Sequence, residues 1–118
     1  MARILIVEDE PLISLLLEDW LTELGHQVVG PVTCVADALE IVTSTPFDAA
    51  ILDVNLRHQR CDPVAEVLAT KAIPYAFATG DSSDEVAGRY VGRPVVSKPY
   101  TFEIIRDVVG ALLPPSTA

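Results

Sequence analysis

Cysteine is scarce in this chain of 118 residues: Cys34 and Cys61 are its two, and neither lies in a CxxC pair or a Cys/His cluster. That excludes a disulfide scaffold, a dithiol couple and a zinc site, and leaves two packing residues. Positive charge is scarce as well. Eight Lys and Arg stand against 17 Asp and Glu, and the formal net charge of −9 repels phosphate backbones. Direct binding to nucleic acid is therefore not expected, and any such output would need a partner. No apolar run approaches the ~20 residues of a membrane span. The run Ile4 to Val7 is broken at once by Glu8, Asp9 and Glu10, which is wrong for a secretory leader, so membrane insertion is not expected and the compartment reads as cytoplasmic.

Half of the residues are apolar and the mean hydropathy is +0.37, which suits one well-filled core. Apolar runs too short for helices alternate with longer stretches of helical period, the pattern of a parallel α/β domain. Strands are expected at Ile4 to Val7, Gln27 to Gly30, Phe47 to Leu52, Ile73 to Ala78 and Val95-Val96. A first helix, Pro11 to Leu24, would bury Leu12, Ile13, Leu16, Trp20 and Leu24 before Gly25 ends it. A second, Cys34 to Ser44, carries Val35, Leu39 and Val42 on one stripe. Asp62-Pro63 supplies an N-cap and a first-turn proline for a third, running to about Thr70. From Gly80 to Pro94 the pattern weakens at Gly88 and Gly92, and a short or mobile helix is expected. Thr101 caps a last helix that buries Phe102, Ile105, Val109 and Leu112. Residues 1–113 read as one domain and 114–118 as a short tail. Right-handed crossovers then give a flavodoxin-like, doubly wound, five-stranded parallel sheet of order 2-1-3-4-5 with helices on both faces. In that order the winding reverses beside strands one and three, and their carboxyl ends are the place for a site.

Polar residues end four of the five strands: Glu8 and Asp9 the first, Asp53 the third, Thr79 the fourth and Lys98 the fifth. One edge of a parallel sheet would gather them. Clustered carboxylates repel unless a cation intervenes, and oxygen ligands suit a hard ion such as Mg²⁺. Beside such an ion a carboxylate is a competent nucleophile towards phosphorus, with Lys98 and the Thr79 hydroxyl left to hold phosphoryl oxygens. Each residue has a plainer explanation by itself: Glu8, Asp9 and Glu10 suit a helix N-terminus, Asp53 a turn, and Thr79-Gly80 and Lys98-Pro99 ordinary loop starts. Their convergence favours the functional reading.

The sequence resembles the receiver domain of a bacterial two-component response regulator. Ile4-Leu5-Ile6-Val7-Glu8-Asp9-Glu10 is similar to the family's opening strand and acidic pair, Ile51-Leu52-Asp53 to its phosphoacceptor, Ala78-Thr79-Gly80 to its hydroxyl position and Lys98-Pro99-Tyr100 to its lysine and proline. The resemblance implies that Asp53 takes a phosphoryl group from a phosphohistidine of a sensor histidine kinase or histidine phosphotransfer protein. It implies Mg²⁺ held by Asp9, Asp53 and the backbone carbonyl of Asn55 with help from Glu8, and phosphoryl oxygens bound by Thr79 and Lys98. It also implies a cis Lys98-Pro99 bond, an open approach at Gly80, output through contact with a downstream protein, and self-phosphorylation with slow autodephosphorylation in place of conventional turnover.

Two departures bear on output. Val95 stands three positions before the lysine, where many receivers carry a rotating aromatic, so that switch is missing. Phe77-Ala78-Thr79-Gly80 is similar to the "FAT" signature of alphaproteobacterial single-domain receivers that also lack the aromatic, although the tyrosine expected soon after that glycine is absent. Without the aromatic, movement of Thr79 towards Asp53 would instead reorder Gly80 to Pro94. The competing class is a pseudo-receiver, an interaction module never phosphorylated, against which Asp9, Asp53, Thr79 and Lys98 all speak. A flavin site would want a Ser/Thr/Gly-rich loop in place of Glu8-Asp9-Glu10-Pro11, and a dinucleotide site a GxGxxG that is absent.

Overall fold

A computed structural model describes residues 2–53, 55–56, 59–60, 62–79, 95–97 and 101–113. In chain order the elements are β1 (Arg3–Val7), α1 (Pro11–Glu23), β2 (Gln27–Val32), α2 (Val35–Ser44), β3 (Ala49–Asp53), the two-residue strands β4 (Asn55–Leu56) and β5 (Gln59–Arg60), α3 (Asp62–Thr70), β6 (Tyr75–Thr79), β7 (Val95–Ser97) and α4 (Phe102–Leu112). Five strands form one parallel sheet in the order β2-β1-β3-β6-β7. Counted within the sheet, that is the expected 2-1-3-4-5. The pair β4-β5 is a separate antiparallel ribbon, in a stretch the sequence pattern reads as plain loop.

Strands β1 and β3 are apolar at successive positions because both faces of the sheet are covered. Leu5, Val7, Ala50, Leu52, Tyr75 and Phe77 pack with Val35, Ala38 and Val42 of α2 and with Val64, Ala65 and Leu68 of α3. On the other face Ile4, Ile6, Ala49, Ile51 and Ala78 meet Leu17 and Leu21 of α1 and Ile105 and Val109 of α4. Each large aliphatic side chain so buried contributes roughly 1.5–3 kcal/mol. Tyr75 stacks edge-on against Phe77 at 5.5 Å between ring centres, so this tyrosine is a core residue. Trp20 and Phe102 join α1 to α4 in the same manner at 6.4 Å.

Several boundaries and one helix face differ from the sequence expectation. The inward residues of α1 are Ser14, Leu17 and Leu21, with Ile13 and Trp20 half-buried, whereas Leu12 is 78% exposed and Leu16 45%. A leucine-rich helix offers two apolar stripes, and only the fit against β1 and α4 decides between them. Cys34 precedes α2 as its N-cap, and Asp62 is already the first residue of α3. Asp48 lies before β3, its carboxylate accepting from the Arg3 N–H at 2.7 Å. His26 is half-buried, and its Nδ1 accepts from the Ala2 N–H at 3.2 Å. Burial, and secondarily the amino-terminal charge, lower its pKa. The Gly80 to Pro94 stretch, the Lys98-Pro99 bond, Cys61 and the 114–118 tail lie outside the described residues.

Two backbone details are testable. β1 and β2 shift register between Leu5↔Val29 and Val7↔Val32, and Gly30 takes up the extra residue at φ +93°. A Cβ there would lie 2.8 Å from the Val32 nitrogen and 3.0 Å from the Ile6 oxygen, so Gly30→Ala should cost about 1–3 kcal/mol in urea unfolding. Helices α1 and α3 end alike, with His26 N–H on Leu21 O and Gly25 N–H on Thr22 O in one, and Ile73 N–H on Leu68 O and Ala72 N–H on Ala69 O in the other. The left-handed position is Gly25 in α1 but Ala72, at φ +58°, in α3. Ala72→Gly should therefore stabilise the fold by about 0.5–1 kcal/mol, the relief of an alanine in that region exceeding the added freedom of the unfolded chain.

Candidate functional site

Strand register assembles the site. Val7 pairs with Leu52, and Asp53 with Ala78, which in turn pairs with Val96. Glu8 follows Val7 directly and so comes level with Asp53. Side chains alternate along a strand, and Ile4 and Ile6 share the α1/α4 face with Ala49 and Ile51. Glu8 and Asp53, next in those two series, therefore leave the sheet towards the same face. The bulge at Gly30 brings the Val32 carbonyl under Glu8, whose N–H donates to it at 2.9 Å and fixes the end of β1.

One carboxylate oxygen each from Glu8, Asp9, Glu10 and Asp53 lies within 4.8 Å of the other three. The four differ in exposure: Glu8 is 1% and Asp53 7% exposed, Asp9 is half-buried and Glu10 exposed. Glu8 Oε2 accepts from the Glu10 N–H at 3.2 Å. Glu10 occupies the N-cap of α1 with extended backbone, yet its side chain makes no capping bond, and Pro11 follows at the first helical position. The structure thus brings Glu8, Asp9 and Asp53 together and adds Glu10, which the sequence reading did not place among the residues expected to hold the ion.

The other predicted residues are placed only by their backbones. Thr79 ends β6 one residue beyond the partner of Asp53 and pairs with Ser97, the residue before Lys98. Asn55 opens β4 two residues after Asp53, and Val95 opens β7 opposite Phe77. Gly80 and Lys98 themselves lie outside the described residues. All the donors gathered are carboxylate oxygens, with neither thiolate nor imidazole among them. That set fits a hard divalent cation with Mg²⁺-like preferences and suits soft metals poorly.

The profile of the response regulator receiver domain matches residues 4–109. The chain belongs to that family. It is 33% identical to the phyllosphere-induced regulator PhyR of Methylorubrum extorquens over 94% of its own length, but spans only 43% of that relative. Among solved structures, SdrG from Sphingomonas melonis Fr1 superposes with a TM-score of 0.86 at 50% identity, covering 95% of this chain and 96% of SdrG. TrrA of Thermotoga maritima, solved in complex with Mg²⁺-BeF, gives a TM-score of 0.81 at 27% identity over 96% of this chain and all of TrrA. As a receiver, this chain is a signalling module of two-component systems. Among the described residues, no helix is long and apolar enough to cross a membrane.

Four acids this close repel one another, and a bound divalent cation replaces repulsion with attraction. Mg²⁺ should accordingly raise the thermal midpoint of the receiver above that in NaCl of equal ionic strength, by about 2.7 kcal/mol of added stability at a hundredfold excess over Kd. Asp9→Asn should remove most of that gain in calorimetric scans.

Proposed function

We propose that the receiver accepts a phosphoryl group on Asp53 from a phosphohistidine and signals by protein contact. The observation that carries this reading is the grouping of Asp53 with Asp9 and Glu8 at the carboxyl ends of the adjacent strands β1 and β3, in a chain of the receiver family. Asp53 is the last residue of β3 and is 7% exposed. A carboxylate oxygen of Asp53 attacks phosphorus. The P–O bond forms as the P–N bond of the donor imidazole breaks, and that bond's electron pair returns to the ring nitrogen.

Asp9 and Asp53, with Glu8 and the Asn55 carbonyl, are the residues that would hold Mg²⁺. When bound, the ion offsets the charge of the carboxylates and of the phosphoryl oxygens. The Mg²⁺-BeF complex of TrrA supports this reading, as does the all-oxygen donor set. Thr79 and Lys98 are proposed to bind the phosphoryl oxygens, Thr79 by its hydroxyl and Lys98 by its ammonium. Gly80 leaves the approach open, and Val95 provides no rotating ring, so the response has to travel through the Thr79 segment. The donor is a sensor histidine kinase or a histidine phosphotransfer protein, and the receiver of the signal is another protein.

Incubation with acetyl phosphate and Mg²⁺ followed by intact-mass measurement tests the proposal. Wild type should gain one phosphoryl group and Asp53→Ala none. Lys98→Ala should slow the gain by at least tenfold, the order expected when a charged partner of the transferring group is removed. A wild-type mass that never changes, or an equal gain in Asp53→Ala, would sink the assignment.

A further inference from the structure

We propose that His26 is a pH-sensitive latch on the amino-terminal end of the sheet, closed while its imidazole is neutral and opened by a proton on Nδ1. Three elements meet at this residue. Its backbone N–H donates to Leu21 O at 2.9 Å and so closes the end of α1, and the next residue, Gln27, begins β2 and donates its N–H to Ala2 O at 2.8 Å. The ring holds the other backbone group of the same alanine: the Ala2 N–H donates to His26 Nδ1 at 3.2 Å. Ala2 directly precedes β1, so the His26-Gln27 dipeptide grips the residue that leads into the strand by both its N–H and its C=O.

One half of that grip depends on protonation. A backbone N–H can only donate, so Nδ1 has to present a lone pair, and the neutral ring carries its proton on Nε2. With protons on both nitrogens the ring faces Ala2 donor to donor, and the Gln27 bond alone holds the start of β1. The elements that meet here carry four charged groups: the amino terminus and Arg3 ahead of and within β1, Glu23 at the end of α1, and Asp48, whose carboxylate accepts from the Arg3 N–H at 2.7 Å. Burial first and the amino-terminal charge second disfavour the imidazolium, and neither acid offsets them. Folding therefore favours the neutral, bonded ring, and the unfolded chain takes up the proton more readily. The stabilisation is complete above about pH 6.5, the ordinary histidine value, and is lost as pH falls from there through the lower pKa of the folded state. The latch stands at the end of β1 opposite Glu8 and the acidic cluster, so it works without ion or phosphoryl group.

NMR of the whole chain between pH 7.5 and pH 5.0 tests the proposal. Long-range imidazole ¹⁵N spectra should show neutral His26 as the Nε2–H tautomer, with a midpoint below 6.5. The protection factor of the Gln27 amide should fall about tenfold at the lower pH, the order of one lost neutral hydrogen bond. His26→Asn, whose side-chain oxygen can accept in place of Nδ1 and does not titrate, should remain protected at both pH values. His26→Phe, a ring without an acceptor, should be weakly protected at both. The acidic cluster is common to all three proteins, so its own titration cancels, and thermal melts at pH 7.5 establish that each variant folds. A midpoint at or above 6.5, a neutral ring protonated on Nδ1, or the same pH response in wild type and His26→Asn overturns the proposal.

Discussion

Mutual repulsion among carboxylates is the constraint around which this domain is arranged. Glu8 and Asp53 are buried at the end of a sheet whose inner strands are apolar on both faces, with Asp9 and Glu10 beside them. Carboxylates grouped this closely repel one another unless a cation intervenes. Beneath them lie two apolar layers, formed against α2 and α3 on one side and α1 and α4 on the other. Asp53 is the last residue of β3, paired with Ala78, and Glu8 follows β1 directly with its N–H bonded to Val32 O, so backbone bonding fixes the positions of the two buried acids.

The bulge in β2 shows how local backbone geometry serves that end. Without the extra residue at Gly30, the Val32 carbonyl would not lie under the Glu8 N–H, and β1 would lose the bond that anchors its final turn into the site. A glycine some twenty residues from the acidic triplet is in this sense part of the site, through hydrogen bonding and not through chemistry. Its partners belong to the edge pair β1-β2, so the constraint reaches the centre of the sheet from its periphery.

Legibility differed by element for physical reasons. The buried strands were plain because a parallel sheet covered on both faces needs unbroken apolar runs, and Ile4 to Val7 and Ala49 to Leu52 are such runs. The face of α1 was not plain. Pro-Leu-Ile-Ser-Leu-Leu-Leu is apolar around most of its circumference, so periodicity pointed to Leu12 and Leu16, while packing buried Ser14 and Leu17 and left Leu12, Leu15 and Leu16 exposed. The ribbon β4-β5 carried no apolar alternation to announce it. Glu10 was visible as an acid beside Glu8 and Asp9, but its distance from Asp53 depends on the packing of β1 against β3 and could not be read from the chain.

The amino-acid sequence alone determined the alternation of buried strands and amphipathic helices, the strand order that follows from it, and which residue types end the strands. These are properties of composition and period, and they persist however the chain is finally packed. Tertiary structure decided which of two leucine stripes of α1 faces inward, where β1 and β2 slip, and that Glu10 turns towards Asp53 in place of capping its helix. Each of those depends on distances between residues far apart in the chain, and such distances exist only once the layers have closed upon one another.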